Sequence, residues 1–200
     1  MSGGLIVLEG SDGTGKSSLC EKLATRLQAM RGEVVIDSFP GKTVGTLGSV
    51  VYDIHHDARD FGIVGIDPTA LQCLHIAAHL DAIATRILPA VNSGSLVILD
   101  RFWWSTFVYG VVGGANIAVI AKLIEAEVLA WDWLKPSALF LIDRDAPLRE
   151  EPVQLWQRYR KEYIALAEEE EANYPVHVIS NNASESVTLD QIVEVLARKI

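Results

Sequence analysis

Leu8 to Ser18 reads LEGSDGTGKSS, and the fold turns on what stands on either side of it. Gly10, Gly15, Lys16 and Ser17 satisfy the spacing G-x-x-x-x-G-K-[ST], which describes a loop whose backbone amides cradle phosphate. Those letters alone are only suggestive; their setting decides. Upstream, LIVLE (Leu5 to Glu9) is a short apolar run of the kind a buried strand uses. Downstream, Leu19, Leu23 and Leu27 recur every fourth residue over a helix from about Gly15 to Met30. A strand, a glycine-rich turn and a helix in that order aim the helix N-terminus, with its unpaired amides and partial positive charge, at whatever the turn holds. Gly10, Gly13 and Gly15 let the chain close around an anion, and Ser11, Asp12, Thr14 and Ser18 complete the wrapping. Lys16 would reach the β- and γ-phosphates and the Ser17 hydroxyl would ligate Mg2+. The loop therefore predicts a nucleoside triphosphate, taken here as ATP, with magnesium.

Further along, EVVIDS, SLVILD (Ser95 to Asp100), SALFLID (Ser137 to Asp143) and VHVIS (Val176 to Ser180) read as four more strands. Helical stretches follow over Thr69 to Val91, Asn116 to Trp133, Val153 to Glu171 and Thr188 to Lys199. Near-continuous Val/Ile/Leu runs alternating with helices give a parallel sheet covered on both faces. The expectation is one α/β domain over residues 1–200, with five parallel strands between two layers of helices.

Of the 200 residues 50% are apolar, enough for one core, and the formal net charge of −9 speaks against a nucleic-acid partner. No uncharged apolar run reaches membrane-spanning length and the first residues, MSGG, carry no signal-type pattern, so no membrane association and a cytoplasmic location are expected. Cys20 and Cys73 form neither a CxxC nor a zinc pattern and read as free thiols. Glu168 to Glu171 reads as a solvated helix face.

Two further segments bear on chemistry. In LDRFWWS (Leu99 to Ser105), Asp100 sits at the carboxyl end of a parallel strand, where ligands bind in such sheets. It could hold the magnesium hydration shell, and the forked guanidinium of Arg101 suits a second phosphate. FPGKTVGTLG (Phe39 to Gly48) follows the second strand as a loop, with Phe39 offering an aromatic face and Pro40 a rigid turn. A GTPase would need NKxD, which is absent, and Asp60-Phe61-Gly62 has no HRD loop before it, so it is no protein-kinase motif.

In order and spacing these segments resemble the thymidylate kinase family of nucleoside monophosphate kinases, nearly end to end. LEGSDGTGKSS, FPGKTVG, PAVNSGSLVILDRFWWSTFVYG, WLKPSALFLID and WQRYRKEYIALA are each similar to a segment of that family. The resemblance implies transfer of the γ-phosphate of ATP to a nucleoside monophosphate, dTMP or another dNMP. Lys16, Asp100, Arg101 and a lid arginine would be catalytic. Asp12, Phe39, Pro40, Arg101, Ser105 and Tyr109 would hold the acceptor, Ser17 and Asp100 the metal. It also implies a three-layer P-loop kinase fold with the five strands in the order 2-3-1-4-5, and a homodimer paired through long helices.

The chain departs from the family at three places. The thymine-reading Arg after Ala-Ala-[DN] falls on Leu80, the polar residue after the [YF] falls on Gly110, and the lid is only RDAPLREEPVQ (Arg144 to Gln154). Arg149 is the leading lid arginine, with Arg144 next; Arg158 and Arg160 lie on the following helix. Two alternatives stand beside the kinase reading: a deoxynucleoside kinase with Asp37 as base, and a nucleotide-binding protein with weakened catalysis. Trp103 and Trp104 fit core or interface filling or a reshaped acceptor pocket. His75 and His79, four apart, form an incomplete metal pattern, and His55-His56-Asp57 reads as a polar loop or helix end.

Overall fold

Each of the five apolar runs is a strand: β1 (Gly4–Glu9), β2 (Val34–Ser38), β3 (Leu96–Asp100), β4 (Ala138–Asp143) and β5 (Val176–Ser180). In the computed structural model, which describes residues 3–198, they form one parallel sheet in the order β2-β3-β1-β4-β5. This is the expected fold. Alternate residues of one strand serve opposite cores. Leu5 and Val7 pack with Val97, Leu99, Leu139 and Leu141 on one face, and Ile6 and Leu8 pack with Ile98, Phe140 and Ile142 on the other. With both faces covered, each such side chain contributes about 1.5–3 kcal/mol on burial, which is why the runs are continuous rather than alternating.

Helices α1 (Lys16–Arg31) and α8 (Glu185–Ala197) cover the second face. The last helix starts three residues earlier than the sequence pattern suggests, because Ser184 caps it by accepting from Val187 N at 3.5 Å. The predicted end at Lys199 lies outside the described residues. On the first face, the single helix expected from Thr69 to Val91 is divided into α3 (Pro68–Ala82), one wide π turn (Ile83–Ile87) and α4 (Leu88–Asn92). Pro89 has no N–H to give to Thr85 four residues back, so the ladder loosens there. Helices α6 (Ile117–Ala130) and α7 (Val153–Glu170) match the sequence pattern closely.

Two helices have no sequence counterpart. Helix α2 (Leu47–Asp57) falls in and beyond the segment expected to be a loop. Thr46 caps it through Ser49 N at 3.2 Å, and Gly48 is required because a Cβ there would lie 1.8 Å from the Pro40 carbonyl oxygen. Helix α5 (Trp103–Gly113) is rich in aromatic, β-branched and glycine residues, poor formers in isolation. Burial of Trp103, Trp104, Thr106, Val108 and Val112 stabilises it instead. All five strands point the same way, so Glu9, Ser38, Asp100, Asp143 and Ser180 end at one rim of the sheet, where the crevice of such folds lies.

Candidate active site

At that rim the glycine-rich loop follows β1. Gly13 and Gly15 have φ of 77° and 90°, and a Cβ on Gly10 would meet the Ile142 carbonyl oxygen at 2.4 Å. Lys16 is buried and its Nζ donates to the Ser11 carbonyl at 2.8 Å. Burial, and then the charge of Arg101, pulls its pKa down to about 8. Asn181, just past β5, braces the loop: its Nδ2 donates to the Thr14 carbonyl at 2.7 Å while Thr188 Oγ1 donates to its Oδ1 at 2.7 Å. Ser17 Oγ donates to Asp100 Oδ2 at 2.5 Å, and Asp100 Oδ1 is buried without a partner. A hydroxyl beside a carboxylate with a spare buried oxygen is a donor set that fits a magnesium ion with its waters. Ser18 turns instead to Glu185, whose pKa is lowered first by Lys22 and then by the Ser18 hydroxyl.

Arg101 has φ of 77°, a left-handed conformation rare for a long side chain. The cause lies beneath it. Glu9, fully buried at the end of β1, accepts from Phe102 N at 2.6 Å, Ser105 N at 3.1 Å, Ser105 Oγ at 3.0 Å and Gly10 N at 3.1 Å. Four donors thus tie the Asp100–Ser105 turn to the glycine-rich loop. Burial raises the Glu9 pKa, with Arg101 and the Phe102 N–H working against it. Sequence reasoning passed over this residue, although a carboxylate closing an otherwise apolar buried strand was a signal: it can be buried only if its lone pairs are filled. So held, the Arg101 guanidinium donates to Ser105 Oγ at 3.0 Å, pairs with Asp12 and lies 5.4 Å from the centre of the Tyr109 ring.

Asp12 is the centre of the site. Its backbone N–H donates to Tyr109 Oη at 3.1 Å, its carbonyl accepts from Trp156 Nε1 at 2.8 Å, and its carboxylate meets both Arg101 and Arg149, the latter at 3.0 Å. Burial pushes its pKa up, but Arg101, Lys16 and Arg149 outweigh that and hold it at about 2. The lid, which leads directly into α7 at Val153, lies across the loop: Leu148 N donates to the Gly13 carbonyl at 2.8 Å. Of the two lid arginines and the two on α7, Arg149 alone lines the crevice. Arg144 is held by the carbonyls of Ala146 and Asn181, Arg158 by that of Val112, and Arg160 by Asp143 through two bonds of 2.7 Å.

Beside these groups opens a cavity of about 690 Å³, of the size that takes a small ligand. Ser17, Asp100, Arg101 and Arg149 line it beside the loop and Gln72, His75 and His79 line it from α3, together with Phe39, Pro40, Ser105 and Tyr109. Neither Leu80 nor Gly110 lines it. His79, one position earlier on α3, faces the cavity in place of Leu80, while a Cβ on Gly110 would meet Gln72 Cγ at 3.2 Å and Ile120 Cδ1 at 3.3 Å. Gly110 is a point of close helix packing. The histidines are individually engaged: His55 Nδ1 lies 2.9 Å from His75 Nε2, and His79 Nδ1 lies 2.8 Å from Glu127 Oε2. Burial and the neighbouring His79 lower the His75 pKa to about 2, so that ring is neutral. Phe39 stacks on His79 with centroids 3.9 Å apart. Trp103 and Trp104 are buried in the core rather than at the cavity. Asp37 is bound by Arg86 at 2.8 and 3.3 Å and also accepts from Ser38 N, which removes it as a free base.

Comparison with known proteins agrees with this geometry. The thymidylate kinase family matches residues 8–189. The chain belongs to the thymidylate kinase family. A thymidylate kinase of Chlamydia muridarum is 32% identical over 186 residues, spanning 86% of this chain and 88% of that protein. One of Chlamydia trachomatis serovar L2 is 33% identical over the same shares. The crystal structure of thymidylate kinase from Ehrlichia chaffeensis matches with a TM-score of 0.80 at 25% identity, covering 98% of this chain and 100% of that one. The chain is therefore an enzyme that phosphorylates a nucleoside monophosphate with ATP, in the thymidylate kinase manner. The deoxynucleoside kinase alternative falls on the same findings and on the occupied Asp37. Family membership also implies use of Mg2+. Among the described residues no helix is long and apolar enough to cross a membrane.

Proposed function

We propose that the enzyme transfers the γ-phosphoryl group of ATP to a pyrimidine deoxynucleoside 5′-monophosphate, with dTMP, the acceptor that the relatives' names indicate, as the reference substrate. One observation carries this reading. Strands β1 and β3 are adjacent, with Leu8 paired to Asp100, so the glycine-rich loop and Arg101 leave neighbouring strand ends and address one crevice.

In this mechanism the loop amides and Lys16 hold the donor phosphates. Lys16 leaves the Ser11 carbonyl as they arrive. Arg101 grips the acceptor phosphate, with Phe39, Pro40, Ser105 and Tyr109 shaping the space for its nucleoside. Arg149, poised over Asp12 from the lid, adds positive charge where the phosphoryl group passes. Magnesium, held through Ser17 and Asp100, supplies charge neutralisation on the donor phosphates when bound. No side chain need act as base, because the attacking phosphate oxygen is already anionic, and positioning and charge carry the rate. The lid touching the loop supports full catalysis over the weakened alternative.

As further parts of the proposal, the chain works as a single domain and as a homodimer in the cytoplasm, where thiols such as Cys20 and Cys73 stay reduced. Exposed Ile117, Val128, Leu129 and Trp133, on and just beyond α6, offer an apolar face for a second copy.

A coupled assay of ADP release over dTMP, dCMP, dUMP and thymidine tests the acceptor. Release with monophosphates and none with thymidine is expected. Release with thymidine alone would reject the reading, and ATP binding without acceptor-dependent turnover would favour the weakened alternative.

A further inference from the structure

Two buried polar side chains at the α3 end of the cavity have no task so far. Gln72 is 5% exposed and lines the cavity, yet its amide makes no hydrogen bond to a described residue. Thr106, 3% exposed and on the wall contributed by α5, is in the same condition. Their polar atoms are reached from the cavity rather than sealed in the core, so a ligand there would meet an amide and a hydroxyl that no protein group occupies. The setting of Gln72 explains how it came there. Gly110 gives α5 no side chain at the contact, and Gln72 Cγ lies 3.2 Å from where its Cβ would be. A larger residue at 110 would displace Gln72.

The lysine and arginine side chains that line the cavity already have partners. Arg101 and Arg149 stand at the phosphate end, and Lys42 sits over the Tyr52 ring at 4.4 Å. His75 is neutral and bonded to His55, while His79 is matched by Glu127. What remains to read a base is an amide, which presents a donor and an acceptor side by side and can exchange them by a half-turn, and a hydroxyl that rotates. Thymine and uracil offer an acceptor next to a donor (the 4-keto oxygen and N3–H). Cytosine offers the reverse (the 4-amino group and N3). A fixed guanidinium would accept only the first; a flipping amide matches both.

We infer that Gln72, with Thr106 beside it, reads the base of the acceptor, and that the enzyme therefore takes both keto and amino pyrimidine deoxynucleoside monophosphates. This rests on the monophosphate kinase reading above.

The test is steady-state kinetics with dTMP and dCMP on the wild type, Gln72→Leu, Gln72→Glu and Gly110→Ala, with thermal melting of each. The wild type should use the two acceptors with kcat/KM within about tenfold of each other. Gln72→Leu should raise both acceptor KM values about tenfold to a hundredfold, with kcat and the ATP KM within about threefold. Gln72→Glu has the same volume but is acceptor-only when ionised. It keeps one bond to either base (thymine N3–H or the cytosine 4-amino group) and opposes the remaining acceptor of each, so it should raise both acceptor KM values about tenfold or more with kcat and the ATP KM within about threefold, a change that a packing role would not produce. If Gln72→Leu does not fold, Gly110→Ala carries the same expectation at smaller size. Unmoved acceptor KM values in folded variants would overturn the inference alone. Rejection of dCMP by the wild type beyond about a hundredfold would overturn its breadth. A chain that turns over no monophosphate would overturn the kinase reading and the inference with it.

Discussion

Replacing Glu9 by Gln is the most informative single perturbation of the site. The side chain keeps its volume, so the change is confined to charge and hydrogen bonding. If the amide oxygen takes the place of Oε1, it still accepts from Phe102 N and Ser105 N, but these bonds, at 2.6 and 3.1 Å, become neutral and about half as strong. At the other position the amide nitrogen faces Gly10 N–H, now 3.1 Å from a donor instead of an acceptor; one buried amide left so costs about 1–3 kcal/mol. Ser105 Oγ can rotate to accept. Removing the buried carboxylate, whose pKa burial raises, offsets part of this. The remainder is about 2 kcal/mol, or a fall in Tm of about 4–8 °C for a chain of this size. The effect on turnover should be larger, because these bonds hold Arg101 at its positive φ. A displacement near 1 Å costs about a hundredfold in kcat. The assay is ADP release with saturating ATP and dTMP, alongside thermal melting. If Glu9→Gln kept kcat within about threefold and Tm within about 1 °C, the claim that Glu9 sets Arg101 would be refuted.

Two more predictions follow from the same groups. In the free enzyme Lys16 titrates near pH 8, below the ordinary lysine range, so at pH 8.5 it is mostly neutral. Phosphate charge restores its proton, and calorimetry in buffers of different ionisation enthalpy should find proton uptake on ATP binding and an affinity that falls as pH rises past 8; uptake that is absent at pH 8.5 would show that Lys16 is already charged. Arg149→Ala should lower kcat by about a hundredfold to a thousandfold while the ATP KM changes far less, as for a charge that acts on the transferring group. An unaltered kcat would leave Arg149 as a surface partner of Asp12 and Glu151.

How much of this could be read in the residues depends on how local the cause was. The five strands, α1, α6 and α7 were legible because a buried parallel strand and an amphipathic helix each write their period into the chain. Asp100 and Arg101 were legible because chemistry at a strand's carboxyl end has a fixed place in such folds. Helices α2 and α5 were not, because their formation depends on remote packing, such as Gly48 against Pro40, and not on local propensity. The Arg144, Arg158 and Arg160 side chains could not be assigned from sequence either, since their carbonyl and Asp143 partners are set by the tertiary fold. On α3 one step rotates a side chain by about 100°, so His79 faces the cavity and Leu80 does not, which the sequence alone could not show. Gln72 carried no motif at all, and only the missing side chain of Gly110, on a different helix, gives it a role.

The most direct test of two anions meeting head-on between Lys16 and Arg101 is calorimetric binding, in the presence of magnesium, of adenosine and deoxythymidine joined 5′ to 5′ through five phosphates. Occupying both subsites with one molecule should give a Kd tighter than that for ATP by about a hundredfold to ten-thousandfold. Arg101→Ala should erase that gain while leaving the affinity for ATP within about threefold. A joined ligand that binds no better than ATP, or whose advantage survives the loss of Arg101, would contradict the shared crevice.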